Sequence, residues 1–270
     1  MKRFTLFIVL LIALLPACRQ ALVNSGTAVT PKSSTLTVFA AASLTDSFTE
    51  IGMDFESAHP GVTVTLNFAG SQTLSTQLTQ GAAADVFASA NHTEMDKVIS
   101  SNLVNQDAPQ DFLNNKLTIV LPADNPANVQ MLQDLARPDL KLILAADAVP
   151  AGKYARLMLD TTAKDPSFGE DFKTKVLANV VSNENDVKQV VVKVNLGEAD
   201  AGIVYVSDAV AAPELVTIEI PNAFNVIAKY PIAALNNAPQ PELATNFITY
   251  VLSSSGQATL KKWGFIPVTP

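Results

Sequence analysis

The sequence contains few of the residue types from which catalytic and metal sites are usually built. Its 270 residues include one cysteine and two histidines. A single cysteine excludes an internal disulfide framework, and neither an HExxH segment nor a cysteine pair is present to hold zinc. His59 lies in an AHPG turn, and His92 begins what we predict to be a polar loop; no Gly-x-Ser-x-Gly sequence accompanies them. We therefore expect neither an enzyme nor a metal held directly by side chains.

Charged residues are also scarce. They make up 16% of the chain, the formal net charge is −7, and lysine and arginine form no cluster. An acidic protein without a basic patch is a poor candidate for binding nucleic acid. If it binds an anion, it must do so with local dipoles and hydrogen-bond donors, because its overall charge is of the wrong sign.

The N-terminus has the pattern of a targeting segment. Lys2 and Arg3 precede a 12-residue apolar run, residues 4–15, which is too short to span a bilayer comfortably. The run ends in the sequence LPAC, which resembles the bacterial lipobox, in which the signal is cut before the cysteine and the thiol is lipidated. We therefore predict a lipoprotein signal peptide over 1–18 and an extracytoplasmic protein anchored to the membrane through Cys18. The alternative is an ordinary signal peptide cut near Ala17.

Residues 19–35 show no apolar period and are rich in Ser, Thr, Gly and Pro, which is typical of a flexible tether. A regular alternation of elements follows. We predict strands at 36–40, 62–68 and 85–88, separated by helices at 45–58 and 71–80. This alternation favours a parallel sheet with right-handed crossovers.

A second set of elements indicates a second α/β unit. We predict strands at 117–121, 142–145 and 201–205, a long extended run at 224–235, and helices that begin near Pro150, near Val187 and near Leu243. The fold class is therefore α/β with two lobes, each a mostly parallel sheet flanked by helices. We assign 36–116 plus 228–270 to one lobe and 117–227 to the other. Strands near 117–121 and 224–230 are expected to carry the chain across and back.

Strand-to-helix junctions are the places to look for a ligand. Ligands of open parallel sheets bind beyond the carboxyl ends of the strands, and helix N-termini offer free N–H groups and a partial positive charge. Five junctions fit this description, and their candidate residues are Ser43, Ser71, Ala151, Val187 and Tyr205. Taken singly, each has a structural explanation, because serines cap helices and valine and tyrosine pack in cores. For the first junction, Ser43 or Thr45 would serve as such a cap.

Taken together, the junctions resemble a known family. The segments that carry the resemblance occur in the same order as in the periplasmic molybdate-binding proteins of ABC importers, over about residues 36–268: FAAASLTDSF, FAGSQTLSTQL, GAAADVFASA, VPAGKYA, the stretch 184–187 and GIVYVSDA. VFAAASL and VPAG are the most specific of them. The resemblance implies a two-lobed substrate-binding fold of type II, with a double crossover between the lobes.

The same resemblance implies a set of ligand contacts made by neutral donors only. Carried onto matching positions, they are the hydroxyl and backbone N–H of Ser43 and Ser71, the backbone N–H of Ala151 and Val187, and the hydroxyl of Tyr205. One departure is local. Gly70 and Gln72 flank Ser71, where some relatives have more serines, and this puts the shape of that turn in doubt.

The implied function is capture of molybdate or tungstate and delivery to the permease of an ABC transporter, by a monomer without a cofactor. Alternatives are a binding protein for sulfate or another tetrahedral oxyanion and, more remotely, a hydrolase. Protonated phosphate needs an acceptor that the five junctions do not supply. Ferric iron is bound by adjacent tyrosines in related proteins, and the four tyrosines here are scattered.

Overall fold

The structure, a computed structural model, describes residues 33–268. The predicted signal peptide with Cys18, and the predicted tether up to residue 32, lie outside the described residues. Within the described part, no helix is long and apolar enough to cross a membrane.

Strands and helices alternate through most of the described chain. The strands are β1 (Ser34–Ala41), β2 (Val62–Ala69), β3 (Val86–Ala88), β4 (Gln110–Asn115), β5 (Leu117–Leu121), β6 (Leu142–Ala145), β7 (Val180–Glu184), β8 (Ala201–Tyr205), β9 (Val216–Glu219), β10 (Ala228–Ala234) and β11 (Ile266–Pro267). The helices are α1 (Thr45–Ala58), α2 (Ser71–Thr79), α3 (His92–Ser100), α4 (Pro150–Thr162), α5 (Phe172–Ala178), α6 (Val187–Asn195), α7 (Val206–Val210), α8 (Pro241–Leu252) and α9 (Ser254–Lys262). Two 3₁₀ helices, Ala42–Leu44 and Leu132–Ala136, complete the described set.

The strands form two mixed sheets that share one plan. The first has the order β11-β4-β10-β3-β1-β2 and the second the order β7-β6-β8-β5-β9. In each, the strand by which the chain enters from the other sheet, β10 or β5, is antiparallel to both of its neighbours. Four of the six strands of the first sheet therefore run in one direction, as do four of the five strands of the second. This agrees with the predicted fold class of two lobes, each with a mostly parallel sheet.

We call the first sheet with α1, α2, α3, α8 and α9 the first lobe, and the second sheet with α4, α5, α6 and α7 the second lobe. The strands of the second sheet all fall within 117–219, and those of the first all fall outside it. This membership supports the division at 36–116 plus 228–270 and at 117–227, which stays a prediction.

The chain crosses between the sheets twice. It passes from β4 to β5 through Lys116 alone and returns through residues 220–227. Asn225 ties the two crossings together, because its side chain accepts a hydrogen bond from Leu117 N at 3.0 Å and donates one to Leu117 O at 2.8 Å. The double crossover therefore consists of two short segments that lie side by side and are joined by hydrogen bonds of Asn225.

The predicted extended run over 224–235 begins too early. Phe224 N and Asn225 N both donate to Pro221 O, so a turn occupies the start of the predicted run and β10 begins only at Ala228. The strand β5 lies wholly within the second sheet and does not itself cross. Pro231, which interrupts the apolar run, coincides with a register shift between β10 and β4, as expected for proline at a bulge.

Aromatic side chains fix α1 on the first sheet. Phe48 and Phe55 are fully buried and meet Phe247 of α8 edge to face, with ring centroids 5.9 and 5.3 Å apart. Phe48 also meets Phe112 of β4 at 5.8 Å. Each such pair adds about 0.5–1.5 kcal/mol beyond the burial of apolar area. Since Phe48 is in the first turn of α1, this cluster also holds the start of that helix in place.

His92 does not lie in a polar loop, as we predicted, but begins α3. Asn91 is the N-cap, and its side-chain oxygen accepts a hydrogen bond from Glu94 N at 2.9 Å. His92 itself faces a carboxylate, with Nε2 2.7 Å from Asp111 Oδ1. An N-cap asparagine followed three residues later by glutamate is a known helix-start signal, which we overlooked because the helix contains few apolar residues.

Candidate ligand-binding site

One small cavity between the two lobes brings together all five residues that the sequence singles out. The first lobe lines it with Ala41, Ala42, Ser43, Gly70, Ser71 and Ala90, and the second with Val149, Pro150, Ala151, Val187 and Tyr205. Its volume is about 10 Å³. Sites for drug-sized ligands have several hundred cubic ångströms, so this cavity suits a solute of a few atoms.

Four of the five residues lie at helix starts. Ser43 is the second residue of the 3₁₀ helix that leads into α1, Ser71 the first of α2, Ala151 the second of α4 and Val187 the first of α6. The first N–H groups of a helix have no acceptor within the helix, and they carry its partial positive charge. Helix starts from both lobes therefore converge on one point, which is the arrangement that favours an anion.

Neither serine caps its own helix, although position alone favoured that explanation. Ser43 Oγ lies 2.9 Å from Tyr230 OH, and Ser71 Oγ accepts a hydrogen bond from Ala90 N at 2.9 Å. Thr45, the alternative cap, donates its hydroxyl to Ala42 O at 2.7 Å. When Tyr230 donates to Ser43, both serine oxygens act as acceptors within the first lobe. Their O–H groups are then left to donate into the cavity.

Tyr205 supplies the third hydroxyl. Its side chain is 1% exposed, and its OH has no hydrogen-bond partner among the described residues. Burial, together with the neighbouring rings of Tyr230 and Tyr154, raises the pKa of Tyr205 well above 10. The phenol therefore stays protonated and can donate. A buried hydroxyl without a partner costs about 1–3 kcal/mol, and an acceptor in the cavity would remove that cost.

The residues that line the cavity are all neutral. None of the eleven carries a carboxylate, an amine or a guanidinium. Elsewhere in residues 33–268 there is likewise no group of three or more His, Cys, Asp and Glu that could hold a metal ion. The polar side chains of the cavity are hydroxyls, and with Tyr230 as the donor to Ser43 all three can donate into it. The site then suits an acceptor that carries no proton of its own.

The last residue of the VPAG segment, Gly152, has to be a glycine. A Cβ at this position would lie 2.1 Å from Ala146 O and 2.3 Å from Ala145 O, which no real side chain tolerates. The start of α4 therefore packs directly on the end of β6, and this contact brings Ala151 to the wall of the cavity. The glycine of VPAG is the sequence signal of this close approach of backbones, although the motif by itself predicted only a helix start.

Tyr230 and Ala90 were missed altogether. Tyr230 lies on β10, far from Ser43 in sequence, and Ala90 follows β3; each holds one of the two serine hydroxyls. Nothing local in the sequence distinguishes them. Only the pairing of β3 with β1 and with β10 places them beside the cavity.

A buried carboxyl lies directly behind Tyr205. Asp208 is fully buried, and its Oδ2 accepts a hydrogen bond from Tyr205 N at 3.2 Å. Burial raises the pKa of Asp208 to about 7, although Lys188 and the bond from Tyr205 N both act to lower it. Near neutral pH this group is therefore partly protonated.

Three polar contacts join the lobes around the cavity. Gln72 Nε2 donates to Asn185 O at 2.9 Å, Lys153 Nζ donates to Thr93 Oγ1 at 3.3 Å, and Lys188 Nζ lies 2.5 Å from Asp46 Oδ2. Each pairs a residue of the first lobe with one of the second. The cleft is closed in this structure, and Gln72, the departure that we noted beside Ser71, takes part in the closure.

Comparison with known proteins identifies the family. A family model described as "Bacterial extracellular solute-binding protein" matches residues 36–266. The chain belongs to this family.

Individual relatives agree with this result. The solute-binding protein is 40% identical over 258 residues to the molybdate-binding protein ModA of Mycobacterium tuberculosis (strain ATCC 25618 / H37Rv), a match that covers 95% of this chain and 94% of the relative. This confirms the predicted resemblance to the molybdate-binding proteins of ABC importers.

Solved structures of related proteins share the fold. The periplasmic molybdate-binding protein of Azotobacter vinelandii matches with a TM-score of 0.74 and 18% identity, over 87% of this chain and 99% of that one. The sulfate-binding protein SubI of M. tuberculosis H37Rv matches with a TM-score of 0.79 and 19% identity, over 88% of each chain. At these identities the likeness concerns the fold alone, and it confirms the predicted two-lobed α/β class.

The solute-binding protein should show a pH-dependent stability that comes from Asp208. Its pKa is about 7 when folded and ordinary, 3.8, when unfolded. Between pH 4 and pH 7 the folded state therefore holds the proton more strongly, and this group's contribution to stability falls as pH rises. Asp208→Asn keeps an oxygen for Tyr205 N but cannot ionise. We expect the variant to gain stability relative to wild type from pH 5 to pH 8, by up to about 4 kcal/mol.

Urea unfolding of both proteins at several pH values measures this difference. Glu184→Gln is a control of the opposite sign, because the hydrogen bonds of Glu184 to Lys193 and Ser182 lower its pKa in spite of its burial. If the gap between wild type and Asp208→Asn stays constant with pH, the carboxyl does not titrate in this range.

Gly70→Ala should hinder closure without harming the fold. The backbone of Gly70 has φ −56° and ψ 138°, which alanine adopts freely. Its Cβ, however, would lie 2.7 Å from Asn185 O across the cleft and 2.5 Å from the movable side chain of Gln72. Such an overlap costs about 1–3 kcal/mol. We expect a solute bound in the cavity to bind about 5- to 150-fold more weakly.

Calorimetric titration with molybdate and sulfate, the solutes that the relatives' names give, checks this expectation. Gly52→Ala is the matched control, because it makes the same change in the same lobe, where the added Cβ meets only ordinary contacts of 3.5 Å or more. An unchanged affinity in Gly70→Ala would show that closure does not bring residues 70 and 185 together.

Proposed function

We propose that this protein captures molybdate or tungstate in the cleft between its lobes and delivers it to the permease of an ABC transporter. The observation that carries the proposal is the small neutral cavity of hydrogen-bond donors, with the buried and unpartnered Tyr205 OH at its wall. Sequence identity of 40% to a molybdate-binding relative supports the choice of solute.

The number of the donors and their distribution over both lobes suit a tetrahedral oxyanion. We assign as ligand contacts the hydroxyl and N–H groups of Ser43 and Ser71, the N–H groups of Ala151 and Val187, and the hydroxyl of Tyr205. These donors come from both lobes. An oxyanion with four oxygens accepts from all of them only when the lobes are closed, so binding shifts the population towards the closed form.

The same donors discriminate among anions. Protonated phosphate brings an O–H that needs an acceptor, and no carboxylate lines the cavity. Burial of an O–H without a partner costs a few kcal/mol, so phosphate is disfavoured. Sulfate also carries no proton, so the donors disfavour it only through its smaller size. It is therefore the competitor against which the selectivity of the site has to be measured.

The remaining features fit a binding protein rather than an enzyme. Family membership implies an extracytoplasmic solute-binding role. We propose that the protein acts as a monomer without a cofactor, has no catalytic residue and does not bind nucleic acid. Its partners are then the oxyanion, the permease and, through Cys18, the membrane.

Removal of single hydroxyls should weaken molybdate binding without unfolding the protein. A hydrogen bond to a charged group contributes about 1.5–3 kcal/mol, so we expect Ser43→Ala and Tyr205→Phe each to bind about 10- to 150-fold more weakly. Ser71→Asp should abolish binding, because it places a carboxylate against the dianion. Isothermal titration with molybdate, tungstate, sulfate and phosphate measures all of these effects.

Two control variants remove hydroxyls of the same kind away from the cavity. Ser75 is a buried serine of α2 whose Oγ donates to Glu94 Oε2 at 2.6 Å, and Tyr250 OH lies 3.5 Å from Asp54 Oδ2 at the surface. Ser75→Ala and Tyr250→Phe should leave the affinity unchanged. If Ser71→Asp binds molybdate as tightly as wild type, the assigned site is in the wrong place.

The lipid anchor is a separate part of the proposal and rests on the LPAC sequence that ends at Cys18. We expect the N-terminal peptide of the protein from its native host to begin at Cys18 and to carry the mass of attached acyl chains. Cys18→Ser should lack that mass, because serine has no sulfur to which the lipid can be attached. Mass spectrometry of the N-terminal peptide decides the matter. An unmodified peptide that begins near Cys18 would instead indicate an ordinary secreted protein.

A further inference from the structure

Lys188 lies at the edge of the cavity without lining it. It is the second residue of α6 and follows Val187, which lines the cavity. Its Nζ is 3.9 Å from Asp208 Oδ1, within the second lobe, and 2.5 Å from Asp46 Oδ2, on α1 of the first lobe. One ammonium group therefore contacts carboxyl groups of both lobes.

The two carboxyl groups differ in their surroundings. Asp208 is fully buried, and its Oδ1 has no hydrogen-bond partner among the described residues. Lys188 is the cation that faces it, at 3.9 Å, and pairs with Asp208 when that carboxyl is ionised. Asp46 is 35% exposed, and Lys188 is 26% exposed. The contact with Asp208 lies within one lobe, so a rigid-body opening of the lobes leaves it in place. The contact with Asp46 crosses the cleft and exists only when the lobes are together.

We propose that Lys188 is a closure residue, held at the cleft edge by Asp208, whose ion pair with Asp46 forms as the lobes close and slows the release of the bound solute. This inference rests on the proposed binding function. Since the pair is absent from the open form, its contribution is to the lifetime of the closed form and not to the encounter with the solute.

Direct attraction between Lys188 and the anion is the competing explanation. It predicts that loss of Lys188 slows association, because steering by charge acts on the encounter. It also predicts that Asp46→Asn tightens binding, since a negative charge near the anion is removed. The closure pair predicts the opposite result for Asp46→Asn, which should weaken binding. The sign of this one change separates the two explanations.

The experiment is stopped-flow measurement of molybdate binding and release by wild type, Lys188→Met, Asp46→Asn and the double variant. We expect each single change to raise the dissociation rate about three- to tenfold with little effect on association. In the double variant the dissociation rate should rise no more than in either single variant. Lys262→Met is the matched control, because Lys262 pairs with Glu50 of α1 at 2.8 Å, but within the first lobe. It should change neither rate.

A second measurement does not depend on the solute. Fluorescent labels at cysteines introduced at the exposed positions Met53 and Leu157, one in each lobe, report closure in a Cys18→Ser background. Without solute, Lys188→Met and Asp46→Asn should lower the closed fraction, and Lys262→Met should not. Tighter binding in Asp46→Asn, slower association in Lys188→Met, or an unchanged closed fraction in both variants would overturn the inference. If wild type binds no oxyanion, the proposed function fails, and the label experiment still decides the role of Lys188.

Discussion

The closed arrangement of the lobes depends on whether the hydrogen-bond donors around one point find acceptors. Four helix starts and three hydroxyls face a cavity of about 10 Å³, and no lining residue has a carboxylate that could accept their hydrogen bonds. Donors that lack acceptors are costly when buried, so the closed form needs a solute that accepts on every side. The two-sheet plan serves this need, since each sheet presents the carboxyl ends of its parallel strands, with the helix starts that follow them, to the cleft.

Closure is built from backbone as much as from side chains. Gly152 lets α4 start against the end of β6, and Gly70 lets the turn before α2 approach Asn185 in the other lobe. The crossing segments are joined through the side chain of Asn225, so the lobes share a short and well-bonded connection. Small residues at the cleft therefore serve two purposes: they expose N–H groups to the solute, and they allow the lobes to meet.

Much of this arrangement could be predicted from the sequence, because the signals are local. The apolar spacing and the His-Pro-Gly sequence that follows predicted α1 with its observed bounds, and short apolar runs predicted β5, β6 and β8 with theirs. All five proposed contacts lie at junctions that sequence reasoning can find. The strands and contacts that sequence reasoning missed are either weakly apolar or set by the pairing of strands that are distant in sequence. β4, with the sequence QDFLNN, shows no strand period. β9 alternates but is only four residues long and mostly exposed. The role of Tyr230 beside Ser43 depends on where β10 enters the sheet.

The distribution of charge then explains how an acidic protein can hold a dianion selectively. A lysine inside the cavity would attract any small dianion, because Coulomb attraction at contact depends weakly on the size of the partner. Neutral donors at fixed positions act only over hydrogen-bond distances, so an anion that is too small leaves some of them unpaired. Lys188, a cation next to the site, faces Asp208 and Asp46 and is not among the residues that line the cavity. In the proposed site, recognition and closure are thereby separated: the hydroxyl and N–H groups would select the solute by its size and its lack of a proton, and the charge at the edge would act between the lobes.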